Sequence, residues 1–208
     1  MGSMRWPRQP DEAGPEEMKL DEVKDPGHRV AIPLPTDVEL PPDILAALNK
    51  SPPINVLRMF AGTQEMFPAL TVMVRALFYD KDILPKLREV IVLRCAHLLD
   101  CGYEWQANVV MGRNAGLPDA LIAALRQNGP VESADPAIRL ICTATDELTR
   151  TATLSDATLA ELIAAHGPRV ASKYIVAIGW FNLLSRFLNA TRVPLESADK
   201  LNGRTAPM

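Results

Sequence analysis

Cysteine is scarce in this chain, with three in 208 residues. An odd, sparse set does not make a disulfide framework, so a reducing compartment, the cytoplasm, is expected. Histidine is equally scarce, and His28, His97 and His166 are too scattered for a histidine-rich metal site, so no metal is expected. Long apolar runs are missing as well. The richest, Tyr174 to Phe181, falls far short of the roughly 20 residues that span a bilayer. No apolar leader opens the sequence, and no membrane partner is expected. Neither sign of charge dominates: 22 Lys and Arg against 25 Asp and Glu leave a net charge of −3 and a pI near 5.7. That balance removes the electrostatic case for nucleic acid. What the chain does have is 48% hydrophobic residues, enough for one sizeable core and one domain.

Proline is abundant and unevenly spread, with ten of the 18 in the first 53 residues. Residues 1–40 read as an N-terminal arm without a core of its own, acidic from Asp11 to Glu22 and extended around Val30 to Pro35. Two readings stay open: a disordered tail, or a strap laid over the domain or a neighbouring subunit and anchored by Val30, Ile32 and Leu34. Asp43 after Pro41-Pro42 is expected to cap a short helix over 44–49. Residues 41–196 form the single domain, and 197–208 a C-terminal tail.

From Ile54 onward the apolar period is helical, and nothing alternates like a strand for long. Helices are expected near 54–62, 65–79, 84–99, 103–114, 118–127, 136–150, 156–166 and 168–189. The punctuation agrees. Asp82 precedes Pro85, Asp135-Pro136 places a cap before a first-turn proline, and Ser155 can cap its helix. Gly116, Gly129 and Gly167 sit where left-handed stops belong. The fold class is all-α.

The chemistry concentrates in Leu87 to Asn108. Asp100-Cys101-Gly102 interrupts the helical pattern, so the flanking helices are expected to form a hairpin with Cys101 at the start of the second. Backbone N–H groups and the helix dipole favour a thiolate there. Cys101, Glu104 and Asn108 are spaced three and four apart and share one helix face. Glu89 enters from the preceding helix, its alternative role being an ion pair with Arg88 or Arg94. Arg94 and His97 lie on that helix but not obviously on the face of Glu89. Tyr103 and Trp105 flank Glu104 and read most simply as packing aromatics. Cys95 and Cys142, within apolar helices, read as buried and inert; Arg113 and Arg126 read as solvated.

This spacing resembles the signature of the carboxymuconolactone decarboxylase family, which shares its fold with the alkylhydroperoxidase-D proteins. There a glutamate is followed twelve residues later by a cysteine, then by a cysteine or glutamate, then by a histidine. Glu89, Cys101 and Glu104 match, while Asn108 stands where the family usually has histidine. Ala115-Gly116-Leu117-Pro118-Asp119, Thr145-Asp146-Glu147-Leu148 and the closing Asn189 to Glu196 are also similar to the family. The resemblance implies an all-helical fold completed by neighbouring chains, a trimer or hexamer, with sites near subunit contacts.

It also implies two chemistries. The peroxidase branch uses two cysteines, one attacking peroxide and one resolving the sulfenate; Glu104 cannot form that disulfide. The decarboxylase branch needs no cofactor: it binds an acid, stabilises a dienolate and returns a proton to carbon. Asn108 can donate a hydrogen bond to an enolate oxygen but cannot act as the acid. Glu104, Glu89, His97 and Tyr103 remain as proton donors, and a buried Glu104 near Glu89 is expected to resist ionisation. The sequence therefore favours a cofactor-independent lyase or decarboxylase acting on a small oxygenated acid, lactone or aromatic-derived. Glu89 and Glu104 are its acid/base pair, Cys101 and Asn108 line the pocket, and Arg94, His97, Tyr103 and Trp105 stand by for substrate. A thiol-dependent peroxidase using Cys101 and a non-catalytic ligand-binding oligomer are the alternatives.

Overall fold

A computed structural model of the chain describes Val23 and residues 27–197, and among these residues every regular element is helical. The order is α1 (Pro42–Leu48), α2 (Asn55–Ala61), α3 (Phe67–Tyr79), α4 (Pro85–Leu98), α5 (Gly102–Asn114), α6 (Asp119–Leu125), α7 (Pro136–Thr151) and α8 (Asp156–Thr191). Short 3-10 turns cover Asp37–Glu39 and Gln64–Met66.

Helix α4 is the axis of the domain, packed against α5, α7 and α8 at once. Its residues from Leu87 to Ala96 are all buried, including Arg88, Glu89 and Arg94. Charges so placed persist only if paired, because desolvating an ion costs several kcal/mol or more. The others are amphipathic in the usual way: α7 turns Ile138, Ile141 and Thr145 inward and leaves Arg139 and Arg150 exposed.

Local chemistry sets most helix ends. The Asp135 side chain accepts from Ala137 N (3.0 Å) ahead of Pro136, and Ser155 accepts from Thr158 N (3.2 Å). Gly116, Gly129 and Gly167 all take positive φ. Gly167, at φ 74°, breaks α8 into two rods, and Pro168 begins the second in the place its fixed φ suits. Two expected caps are corrected. Pro41 and Pro42 begin α1, so Asp43 lies inside the first turn and caps nothing. Leu84 precedes α4, and Asp82 instead pairs with Arg169 (2.6 Å) and Lys173 (2.6 Å).

Residues 27–36 run without regular structure along the end of α8. Ile32 N donates to Thr191 O (3.1 Å), Arg192 donates to Val30 O, and Arg58 reaches Pro35 O (2.8 Å). Backbone groups hold this segment. Of the three expected anchors only Leu34 packs on the core; Val30 and Ile32 stand 73% and 55% exposed.

Candidate active site

The α4–α5 hairpin builds the site. Asp100 takes a left-handed conformation (φ 51°), Asp100 N donates to His97 O (3.2 Å), and Cys101 N donates to Ala96 O (2.8 Å). This pair of bonds is a Schellman stop that closes α4. Cys101 is at once the residue after that stop and the N-cap of α5, accepting from Trp105 N (3.0 Å). The two helices approach closely where Gly112 has no side chain: a Cβ there would lie 3.2 Å from both Leu93 and Leu117.

Against this hairpin, α2, α3 and α8 enclose a cavity of about 700 Å³, within the range of small-molecule sites. Its walls are mostly apolar: Phe60 from α2, Val74 and Phe78 from α3, Ala107 from α5, Phe181 and Leu184 from α8. Glu104 and Asn108 face it one turn apart, as the spacing required, and both are buried. Among the described residues Glu104 is the one acidic residue in the lining; the cations there, Lys50 and Arg75, are exposed. Asn108 spends one amide hydrogen on Glu104 O (2.7 Å), and its amide has a second.

Tyr103 also lines the cavity, but its hydroxyl accepts from Val56 N (3.0 Å) and donates to Glu196. The phenol proton is committed, so Tyr103 is a wall and not the expected proton donor. Glu196 escaped the sequence reading as a site residue. Its buried carboxylate also accepts from Asn55 N at the start of α2, while Gln106 bonds its backbone through N and O (3.1 Å each). It thus ties the segment that follows α8 to two cavity walls. Its signal in the sequence was slight: a charge following Val193-Pro194-Leu195.

The remaining candidates lie elsewhere. Glu89 is buried and ion-paired to Arg88 (3.1 Å), whose guanidinium lies 4.2 Å over the Phe78 ring. It is not in the cavity lining, so the expected carboxylate pair does not share the cavity wall. Arg94 is wholly buried and structural. It makes a bidentate pair with Asp146 (2.6 and 2.7 Å) and donates to the carbonyls of Leu125 (3.1 Å), Gln127 (2.7 Å) and Gly129 (2.6 Å), closing the C-terminal end of α6. It is therefore unavailable to a substrate. His97 faces Gln127 and Asn128, and burial followed by the charge of Arg94 lowers its pKa. Trp105 is buried under Arg126, 5.1 Å from its ring, so Arg126 is a stacking partner and not simply solvated.

Cys101 is the sharpest correction. It occupies the expected helix start, yet it is 1% exposed and does not line the cavity. Burial, then the charge of Glu104, pushes its thiol up to about 12; the backbone N–H of Glu104, the Ser185 hydroxyl and the backbone N–H of Tyr103 pull the other way and lose. Cys95 and Cys142 are buried and are likewise pushed up to about 12. No disulfide links the three. Among the described residues no group of three or more His, Cys, Asp or Glu could hold a metal ion, and no helix is long and apolar enough to cross a membrane.

Comparison with known proteins follows this geometry. No curated protein matches the chain. Two solved structures do. An uncharacterized peroxidase-related protein from Silicibacter sp. TM1040 superposes with a TM-score of 0.68 at 23% identity, covering 84% of this chain and 94% of its own. An alkylhydroperoxidase AhpD core, an uncharacterized peroxidase-related protein from Ralstonia eutropha JMP134, gives 0.69 at 21% identity, covering 86% and 100%. At such identities the likeness establishes the fold. The sequence profile of the carboxymuconolactone decarboxylase family matches residues 64–147, so the family resemblance carried by Glu89, Cys101 and Glu104 is upheld over the segment that contains the site hairpin.

Proposed function

We propose that the cavity is the active site of a cofactor-independent lyase, of the decarboxylase type, acting on a small oxygenated acid through an enolate. The observation that carries this reading is one buried carboxylate, Glu104, in a mostly apolar cavity beside a hydrogen-bonding amide, Asn108. In the reaction the bond from substrate carbon to carboxylate breaks and carbon dioxide leaves. The electron pair moves into a conjugated carbonyl, giving an enolate. Asn108 donates its second amide hydrogen to the enolate oxygen, and protonated Glu104 delivers a proton to the carbon. Glu104 then regains its proton from water through the mouth. Glu89, paired with Arg88, shapes the hairpin from behind in this scheme.

Exposed Val72 and Met73 on α3 and Val176 and Leu183 on α8 lie on two of the helices that wall the cavity. The same reading has a second copy of the chain covering them in a homo-oligomer. The test is a mass-spectrometric screen of small keto, lactone and aromatic-derived acids, scoring loss of carbon dioxide. Release by the wild type supports the proposal. Release that persists in Glu104→Gln overturns it.

A thiol peroxidase is the second reading, favoured by the position of Cys101 at the N-cap of α5 and by the peroxidase-related structures of the same fold. Peroxide consumption with an external thiol that vanishes in Cys101→Ser would establish it in place of the lyase.

A further inference from the structure

Arg88 reaches the cavity without lining it. It is buried on α4, and its Nε donates to Glu89 (3.1 Å). The two are neighbours on one helix, so their ion pair ties no two elements together, although taking both charges out of water is costly. Among the described residues, the other polar and ring contacts of the Arg88 side chain go to Phe78 on α3. The guanidinium carbon lies over the ring, 4.2 Å from its centre, and Nη1 makes a long hydrogen bond of 3.4 Å to the Phe78 carbonyl. A desolvated guanidinium holds an aromatic face more firmly than an exposed one does. Phe78 itself lines the cavity. Its helix is otherwise lightly held within its own length: of α3 only Phe67 and Leu77 are buried, and it packs chiefly on α2 and the preceding 3-10 turn.

We infer that Arg88 is a positioning residue of the site: held by Glu89, it fixes the Phe78 ring on the cavity wall and so limits the width of the ligand admitted. This rests on the cavity being the ligand site. It gives the buried pair a use that its energetics alone do not, since apolar residues of similar volume often replace such pairs with little loss of stability. Glu89 then serves the site through Arg88 and Phe78, from outside the cavity lining.

Two neutral probes that differ by one fused ring, 1-naphthol and 9-phenanthrol, read the width. Each is titrated against the full-length chain by displacement of fluorescent N-phenyl-1-naphthylamine. Arg88→Met with Glu89→Leu removes both charges together and strands neither. This double variant binds 9-phenanthrol, relative to 1-naphthol, about threefold to tenfold better than the wild type does, on the scale of one cation–aromatic contact. Phe78→Leu shifts the ratio the same way, and adding it to the double variant shifts it no further. Should the double variant fail to fold, Arg88→Lys leaves Glu89 a counter-ion but cannot span both Glu89 and the ring, and it moves the ratio in the same direction. A purely structural Arg88 would lower stability and leave the ratio alone. A ratio unchanged in Phe78→Leu or in the double variant (in Arg88→Lys where that does not fold), an additive effect of Phe78→Leu, or no binding of any probe by the wild type overturns the inference. The probes carry no carboxylate to lose, so the ratio is read whether or not decarboxylation occurs, and failure of the lyase reading is told apart from failure of this one.

Discussion

Thiol reactivity tests the burial argument quantitatively. With its thiol pushed up to about 12, Cys101 is about one part in 10⁴ thiolate at pH 8. A free cysteine of pKa about 8.5 is roughly a quarter thiolate at that pH, so the ionisation penalty alone slows alkylation by about 2 × 10³. At 1% exposure the reagent also has to wait for an opening of the structure. Cys95 and Cys142, with thiols at about 12 and exposures of 0% and 2%, face the same two barriers. The assay is iodoacetamide at pH 8 followed by intact-mass measurement, native and in urea. The expected result is no label on the native protein over a time in which glutathione is consumed, and three labels once unfolded. Native labelling of Cys101 at a rate near that of glutathione would refute the reasoning. It would show that the helix start prevails over desolvation and would return the peroxidase chemistry to first place.

Three further outcomes follow from the same structure. Arg94→Met removes five hydrogen bonds and strands Asp146, so unfolding in urea should show a loss near the lower end of the 3–5 kcal/mol seen for broken buried pairs, since Asp146 is 21% exposed. Adding Asp146→Leu should recover part of it. Glu196→Ala frees Tyr103 and the start of α2 and is expected to cost about 2–4 kcal/mol, while Glu196→Gln, whose amide oxygen still accepts, costs less. The contacts of Asp82 with Arg169 and Lys173 hold its pKa down to about 2 from 3.8. A depressed carboxylate contributes stability that is whole above pH 4 and fades as pH falls toward 2, so Asp82→Asn should lower the melting temperature at pH 7, flatten its fall between pH 4 and 2, and match the wild type at pH 2.

The fold was legible because its signals are local. Asp135 before Pro136, Ser155 before α8, and glycines at 116, 129 and 167 each act within a turn of themselves. The pairing of Glu104 with Asn108 on one face is also local, a matter of helical pitch. What escaped depends on distant partners. Arg94 looked free until Asp146, 52 residues on, took it. Tyr103 looked like an acid until Glu196, 93 residues away, accepted its proton. Cys101 looked reactive because a helix start favours a thiolate, but packing that depends on other elements, such as Ser185 on α8, decides how dry the sulfur is. Trp180 and Phe78 reach the cavity from α8 and α3, and nothing in the pattern of either helix marks them as walls of one site.

The account turns on Glu104 as the group that moves the proton. Once a substrate is in hand, its most direct test is the turnover of Glu104→Gln beside the wild type at matched stability. A loss of about 10² to 10⁴ in kcat, with substrate still bound, is the predicted result. A kcat within twofold of the wild type would contradict the account.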